Sequence, residues 1–212
     1  MRKPFLALLA LSFAASTALA QDREDSFYLD LAFGAVGADA VDPPGAVGEV
    51  EFDTGVATAL AVGYPLFQTG DVTWSLEGEL YYSYFKLDED DLGNFPGTKS
   101  QGASTSAVMA NLVADVPLTS SVSLYLGGGI GYAPNITYDT LDTGSYQQVD
   151  TDGSAAQFMI GLSYRLGSQY DFSLGYRYFA TSNIDVLETV GNNVDEVEFA
   201  NNVFELSFRW GL

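Results

Sequence analysis

The last eleven residues of the chain, 202–212, alternate between a strongly apolar face and a more polar one. Because successive side chains of a β-strand point to opposite faces, this pattern predicts a strand with one apolar side. The apolar positions are Phe204, Leu206, Phe208, Trp210 and Leu212, and the opposite positions are Val203, Glu205, Ser207, Arg209 and Gly211. No later segment can cover this strand, so we expect the sheet to close on itself, with the first strand beside the last.

Seven earlier segments show the same alternation, which brings the predicted number of strands to eight. Most are about ten residues long, the length that crosses a bilayer at a tilt. The predicted strands are residues 26–36, 55–64, 72–87, 106–116, 122–133, 154–166, 172–181 and 202–212. The pattern therefore predicts an all-β fold, an eight-stranded antiparallel transmembrane β-barrel.

The connections between these strands are alternately long and short. The long ones are residues 37–52, 88–103, 134–153 and 182–199, and the short ones are 65–71, 117–121 and 167–171. Short turns on the periplasmic side and longer loops outside are typical of outer-membrane barrels. We therefore expect short periplasmic turns, four long extracellular loops, and both ends of the mature chain on the periplasmic side.

The first twenty residues have the features of a secretory signal. Arg2 and Lys3 precede an apolar run over residues 5–15, and Ala18-Leu19-Ala20 is a small-residue cleavage site. The apolar run is too short to span about 30 Å of hydrocarbon as a helix. We predict a cleaved signal peptide, residues 1–20, followed by one barrel domain, residues 21–212.

The charged residues on the polar faces decide which face of the barrel meets lipid. Each basic residue near the bilayer midplane costs about 2–4 kcal/mol on the lipid side, and several together rival a total stability of about 5–15 kcal/mol. The apolar faces should therefore point outwards. A soluble, lipocalin-like barrel is the alternative, but the Gly- and Ala-rich face suits the narrow interior of an eight-stranded barrel better. The residues that this orientation turns into the lumen include Asp30, Glu77, Glu79, Arg165, Arg177, Glu205 and Arg209.

Unpaired buried charges are costly, so these seven side chains are expected to form a charge network. Counting from the periplasmic end of each strand predicts that Arg177 meets Glu205 and that Arg209 meets Asp30. Glu77 and Glu79 are expected to face Arg177 or Arg165. Three interpretations of the network remain: a structural plug, a narrow ion-selecting channel, or a catalytic carboxylate pair at Glu77 and Glu79.

Absent residue types exclude several functions. The chain has no Cys and no His, so it lacks a thiol nucleophile and the usual general base of lipid-modifying barrel enzymes. We predict no catalytic residue and no enzyme activity. Without the signal, six basic residues face 28 acidic ones, which excludes electrostatic binding of nucleic acid. The acidic stretches 88–91 and 150–153 do not match a calcium loop, so we predict no metal and no cofactor.

Several short motifs resemble a known family. Residues 107–115 (Ala-Val-Met-Ala-Asn-Leu-Val-Ala-Asp) lead through Pro117 to 125–132 (Tyr-Leu-Gly-Gly-Gly-Ile-Gly-Tyr), and the segments 161–165, 174–179 and 205–209 add Gly-Leu-Ser-Tyr-Arg, Leu-Gly-Tyr-Arg-Tyr-Phe and Glu-Leu-Ser-Phe-Arg. The chain resembles the eight-stranded outer-membrane β-barrel family that includes OmpA-type transmembrane domains, OmpX-like proteins and opacity-type surface proteins. Members usually end in an aromatic residue, whereas this chain ends in Leu212, two residues after Trp210.

The resemblance implies a location in the outer membrane of a Gram-negative bacterium. We expect contact with membrane lipid and lipopolysaccharide, recognition of the C-terminal strand by the barrel-insertion machinery, and a monomer. The expected role is structural or interactive: envelope integrity, adhesion, or binding of an extracellular ligand through the acidic loops, with the lumen plugged by charged pairs. The alternative is a small porin that conducts ions or small solutes.

Overall fold

The chain folds into eight strands, and no other regular element occurs in the part that the structure describes. The computed structural model describes residues 26–38, 54–86, 102–142, 145–187 and 194–212. The strands are β1 (Tyr28–Ala38), β2 (Gly55–Thr69), β3 (Val72–Lys86), β4 (Gly102–Pro117), β5 (Val122–Asp142), β6 (Ser145–Leu166), β7 (Tyr170–Leu187) and β8 (Val194–Gly211). The predicted signal peptide lies outside the described residues.

The eight strands form one closed antiparallel barrel, which confirms the predicted fold class. Each strand pairs with its neighbours in the sequence, and β1 also pairs with β8. At this seam Tyr28 lies opposite Gly211 and Val36 lies opposite Val203. Closure gives the last strand a hydrogen-bonded partner on both sides, so the barrel has no open edge.

Two hairpins extend further than the alternation predicts. Strands β5 and β6 pair from Val122↔Tyr164 to Asp142↔Ser145, so only residues 143–144 separate them, where a long loop over 134–153 was predicted. Strands β7 and β8 likewise continue to Leu187↔Val194, inside the predicted loop 182–199. The register shifts between Ala133 and Ile136 and between Thr181 and Ile184. Most of the other two predicted long loops, 37–52 and 88–103, lies outside the described residues; β1 continues to Ala38 and β4 begins at Gly102.

The connections at the opposite end of the barrel are tight. Gly70 and Gly167 have φ angles of 63° and 77°, a left-handed conformation that glycine adopts without the steric cost of a Cβ. The predicted turn 65–71 is shorter than expected, because β2 continues to Thr69 through a register shift between Pro65 and Phe67. The asymmetry between the two ends of the barrel therefore agrees with the predicted arrangement of turns.

The two faces of the barrel wall differ as predicted, with apolar side chains outside. Along β8, Phe204 is 69% exposed whereas its neighbour Val203 is 1% exposed. The same alternation runs through the other strands, where Ala, Gly and polar residues point inwards. None of the described residues forms a helix that is long and apolar enough to span a membrane.

Glycines in the inner wall make room for inward-pointing aromatic rings. The Tyr125 ring on β5 lies against Gly161 on β6 and Gly175 on β7, where a Cβ atom would overlap with the ring or its hydroxyl group. Gly63 on β2 accommodates the Tyr28 ring in the same way. The close approach of ring and backbone therefore requires glycine at these positions.

Candidate functional site: the charged lumen

Arg177 on β7 forms the centre of a buried polar cluster. Its Nη1 lies 2.6 Å from Glu79 Oε1 and its Nε lies 2.9 Å from Glu205 Oε2. Nη1 also donates to Gln157 Oε1 at 2.7 Å. Arg177 is only 2% exposed, so the guanidinium group depends on these partners in place of water.

Amide side chains extend the Arg177 cluster across the barrel. Gln157 Nε2 on β6 donates to Glu79 Oε1 at 2.8 Å and to Asn111 Oδ1 at 2.7 Å. We call this group the Arg177 cluster; it consists of Arg177, Glu79, Glu205, Gln157 and Asn111. The cluster joins β3, β4, β6, β7 and β8 through side-chain hydrogen bonds, in addition to the backbone ladder.

Arg209 on β8 forms a second cluster nearer the short turns. Its guanidinium group lies 3.0 Å from Asp30 Oδ2, 3.1 Å from Asp115 Oδ2 and 3.3 Å from Glu77 Oε1. Tyr28 donates its hydroxyl to Glu77 Oε1 at 2.7 Å, and its ring lies under the Arg209 guanidinium at 4.2 Å. We call this group the Arg209 cluster; it consists of Arg209, Asp30, Glu77, Asp115 and Tyr28.

The structure brings six of the seven predicted lumen charges into these two clusters. Arg177 meets Glu205 and Arg209 meets Asp30, as the residue count predicts. The expected partner of Glu77 is wrong, because Glu77 pairs with Arg209 instead of Arg177 or Arg165. The register explains this: Glu77 is level with Gly63, which is level with Tyr28, and Tyr28 lies beside the last residues of β8.

Arg165 is the one predicted network residue that lies apart. Its side chain is 56% exposed, and its Nε lies 3.8 Å from Asp171 Oδ1. Arg165 is the second-last residue of β6, and Asp171 is opposite it at the start of β7. Arg165 has the inward parity of the lumen residues but lies at the mouth of the barrel, where its side chain reaches solvent.

The sequence-based prediction missed several polar residues of the clusters. Asp115 lies on the inward face of β4, and its parity alone could have placed it with the others. Gln157, Asn111 and Tyr28 carry no charge, so the charge-based argument did not identify them. Their signal is a polar side chain at an inward position within a strand of a narrow barrel.

An apolar layer fills the lumen on the side of the long connections. Phe85 and Phe179 are fully buried there, and Tyr81 stacks on Phe179 with ring centroids 4.4 Å apart. The Tyr81 ring also lies 5.4 Å from the Arg177 guanidinium carbon, which joins the layer to the Arg177 cluster. We call this group the apolar layer; its large members are Val36, Tyr81, Phe85, Met109, Ile136, Phe179 and Val203.

A small cavity lies among the two clusters. Its volume is about 30 Å³, and its lining includes Asp30, Glu205, Tyr125, Arg177 and Arg209. Tyr125 is buried and contributes to the lining of this cavity. Within the described ranges, no three acidic side chains are grouped so that they alone could hold a metal ion.

Comparison with known proteins identifies the family to which the chain belongs. A sequence model described as "Outer membrane protein beta-barrel domain" matches residues 5–210. The chain belongs to this family. Proteins of this barrel family lie in the outer membrane, so the exposed apolar side chains of the barrel wall face an environment of membrane lipid and lipopolysaccharide.

Related proteins and solved structures agree with this assignment. Uncharacterized proteins of Brucella abortus and Brucella suis are 40% identical over 86 residues, which is 36% of this chain and 30% of theirs. The chain therefore spans less than a third of these relatives. Neisserial surface protein A superposes with a TM-score of 0.54 at 18% identity, covering 88% of this chain and 97% of that protein. OprG from Pseudomonas aeruginosa has the same score at 13% identity, with 91% and 99% covered. At these identities the similarity is one of fold.

Proposed function

We propose that this outer-membrane barrel is a non-catalytic protein with a closed lumen, and that its role is structural or interactive at the cell surface. The observation that carries the proposal is the filling of the lumen. Two arginine clusters and the apolar layer follow one another along the barrel axis. A solute that passes through the barrel would have to displace all three.

The apolar layer is the stronger barrier of the lumen. Phe85, Phe179 and Val36 are fully buried, and the layer is completed by Ile136 and Val203. A hydrated ion in this layer would lose water without gaining a polar partner, and burying an unpaired charge in this way is very costly. This packing supports a barrel that conducts ions poorly.

The Arg177 cluster adds a second barrier. Arg177 on β7 contacts Glu205 on the adjacent strand β8 and Glu79 on β3, which lies four strands away in the closed barrel. Removal of one partner from such a buried arrangement leaves the other charges without compensation. The clusters therefore support a role in holding the strands of the barrel together more than a role in transport.

The polar residues of the lumen do not suit catalysis. The whole chain lacks His, and the buried carboxylates at Glu77 and Glu79 accept hydrogen bonds from arginine side chains. A carboxylate held in this way lacks both a free nucleophile nearby and a path for a substrate. This supports a protein that is not an enzyme.

The extended hairpins are the elements best placed for an interaction outside the cell. Strands β5 and β6 continue as a paired ladder beyond the register shift at Ala133–Ile136, and β7 and β8 do so beyond Thr181–Ile184. Elements that project from a rigid scaffold commonly carry binding functions. We infer that these hairpins and the acidic loops mediate adhesion, ligand binding or envelope integrity, that the protein is a monomer, and that β8 is the segment recognised by the insertion machinery.

Conductance in planar bilayers tests the closed lumen. We expect the unmodified protein to show no stable channels, and a Phe85→Ala/Phe179→Ala variant to show discrete conductance steps, because it opens the apolar layer. A Phe204→Ala variant removes an exposed outward ring and is the matched control. Large stable conductance of the unmodified protein would favour a small porin, the alternative that the polar cavity supports.

A deletion strain tests the surface role. Binding to host cells, permeability and leakage of periplasmic proteins are compared with the parent strain. Complementation with a chain whose residues 138–149 are replaced by a short turn separates the two roles. We expect this chain to restore envelope integrity but not binding; full restoration of binding would exclude the β5–β6 hairpin as the interacting element.

A further inference from the structure

The cavity between the two arginine clusters has room for water and is lined by groups that bind water. We propose that it holds two ordered water molecules, and that these join the Arg177 cluster and the Arg209 cluster into one hydrogen-bonded network. Water in the cavity does not depend on the closed lumen, which rests on the apolar layer, so the two can fail separately.

The cavity lies where two neighbouring strands turn small side chains towards large charged ones. Strand β2 contributes Ala59 and Ala61 to the lining, and β1 contributes Ala32. Arg177 and Arg209 reach into the same space from β7 and β8. Methyl groups leave much of that space unfilled. Voids larger than a water molecule are few in protein interiors, so a space of this size among charged groups calls for an occupant.

The volume of the cavity fits two water molecules. It is about 30 Å³, and one water molecule needs at least about 10–15 Å³. An organic molecule of several non-hydrogen atoms does not fit in this volume. The occupant is therefore water or a single small ion.

The lining favours water over an ion because it offers both hydrogen-bond donors and acceptors. The guanidinium groups of Arg177 and Arg209 donate, whereas carboxylates such as those of Asp30 and Glu205 accept. The Ser207 hydroxyl, which also lines the cavity, can do either. Water both donates and accepts, and a buried water molecule typically makes about three hydrogen bonds. An ion of either sign would lie beside side chains of its own charge.

Water in this position would connect the two clusters. The side-chain acceptors that Arg177 contacts belong to the Arg177 cluster, and those that Arg209 contacts belong to the Arg209 cluster. Members of both clusters line the one cavity. A hydrogen bond through water is enthalpically nearly as good as a direct one. The joined network would include side chains from β1, β3, β4, β6, β7 and β8.

The exposure of the two arginines indicates where the water enters. The side chain of Arg209 is 15% exposed, whereas that of Arg177 is 3% exposed. Solvent therefore reaches the cavity past the Arg209 cluster, from the end of the barrel with the short turns. Arg177 lies at the inner end of this path, so its contact with water reports on the cavity and not on bulk solvent.

NMR spectra of the protein in lipid nanodiscs test the site through the Nε–H group of Arg177. We expect a cross-peak between this group and water, with opposite signs in NOE and ROE spectra. Opposite signs indicate a water molecule that stays bound while the protein tumbles, whereas direct proton exchange gives the same sign in both.

Ala59→Val should abolish the cross-peak, because the added methyl groups fill the cavity and displace water. Ala57→Val is the matched control. Ala57 is buried on the same face of β2, two residues away, but does not line the cavity, so this variant should keep the cross-peak. Ala61→Val replaces the first variant if Ala59→Val does not refold, because Ala61 also lines the cavity.

Asp30→Asn tests the connection between the clusters. Asp30 belongs to the Arg209 cluster, and its replacement should shift the Nε–H resonance of Arg177 through the intervening water. The same replacement combined with Ala59→Val should shift that resonance much less, because the connecting water is then displaced. An equal shift in both backgrounds would mean that the clusters interact directly and that water does not join them.

Three further outcomes would overturn the proposal. The absence of a water cross-peak at Arg177 in the unmodified protein would mean that no ordered water lies there. A cross-peak that persists in both Ala59→Val and Ala61→Val would place the water outside the cavity. Loss of the cross-peak in Tyr125→Phe would mean that the signal is relayed through the tyrosine hydroxyl. Poor conductance together with any of these results would leave the closed lumen intact and remove only the water.

Discussion

Two arginines on the inner face of the barrel, Arg177 and Arg165, have opposite environments. Arg177 lies within β7, buried against two carboxylates, whereas Arg165 lies near the end of β6 with its side chain half exposed. Both follow the same inward parity, and each has an acidic partner on a neighbouring strand. The difference predicts that position along the strand determines whether an ion pair inside a barrel contributes to stability.

Replacement of Arg177, the buried arginine, should cause the largest decrease in the free energy of unfolding. Arg177→Ala removes the counter-charge of both Glu79 and Glu205, and loss of one side of a buried pair typically costs about 3–5 kcal/mol. We expect a decrease of this size in the free energy of unfolding, measured by urea titration of the protein in lipid vesicles. A loss below about 1 kcal/mol, the range of exposed pairs, would remove the contrast between the two arginines.

A double-mutant cycle sharpens the comparison by isolating one pair. Arg177→Ala combined with Glu205→Ala should be less destabilised than the sum of the two single variants, because neither charge is then left unpaired. Contacting residues couple by about 0.5–3 kcal/mol, and we expect the upper part of that range. The same unfolding measurement applies, and Arg177→Ala with Asp171→Ala serves as the control pair that should be additive.

Arg209→Lys, which keeps the charge but changes the geometry of the side chain, should decrease the free energy of unfolding by an intermediate amount. Arg209→Lys retains one positive charge, but an ammonium group cannot contact Asp30, Glu77 and Asp115 in the planar arrangement of a guanidinium group. Loss of one charged hydrogen bond costs about 1.5–3 kcal/mol, and we expect a value near the lower end. Unfolding at several urea concentrations measures it, and a neutral outcome would show that charge alone matters in this cluster.

Replacement of Arg165, the exposed arginine, should cause the smallest decrease in the free energy of unfolding. Arg165→Ala breaks a contact of 3.8 Å with Asp171 at the mouth of the barrel, and exposed pairs contribute about 0–1 kcal/mol. This small contribution should vanish in high salt, because salt screens exposed charges. A salt-independent loss comparable to that of Arg177→Ala would mean that position along the strand does not determine the contribution.

The sequence predicts the barrel well because alternation and closure are local and general properties. The inward parity of Arg177 follows from its own strand, and so does its pairing with Glu205 on the next strand. The partner of Glu77 could not be predicted by counting residues from the turns. The strands of a barrel are tilted and staggered, so residues at the same number of positions from their turns lie at different heights along the barrel axis. Glu77 therefore lies at the level of Tyr28.

The hairpin extensions escaped prediction for a different reason. Residues 134–153 are mostly polar, so their sequence lacks the apolar periodicity that identifies a membrane strand. Backbone pairing continues there although no apolar face identifies it in the sequence.

The apolar layer was also missed, because Phe85 and Phe179 are large apolar residues on faces that the charge argument treats as polar. Aromatic side chains inside a narrow barrel require room from glycine on facing strands, which is a property of the three-dimensional packing.

The seam between β1 and β8 has a consequence for the order of events during synthesis. The N–H of Leu212 donates to the carbonyl of Phe27, so the first strand of the barrel obtains its second partner only once the last strand has been made. A chain that stops before β8 leaves unpaired backbone groups along both β1 and β7, which cannot be accommodated in hydrocarbon. Contacts of such large sequence separation also form slowly. Membrane insertion of this protein is therefore expected to require β8, and products that stop before β8 are expected to remain as substrates for periplasmic proteolysis.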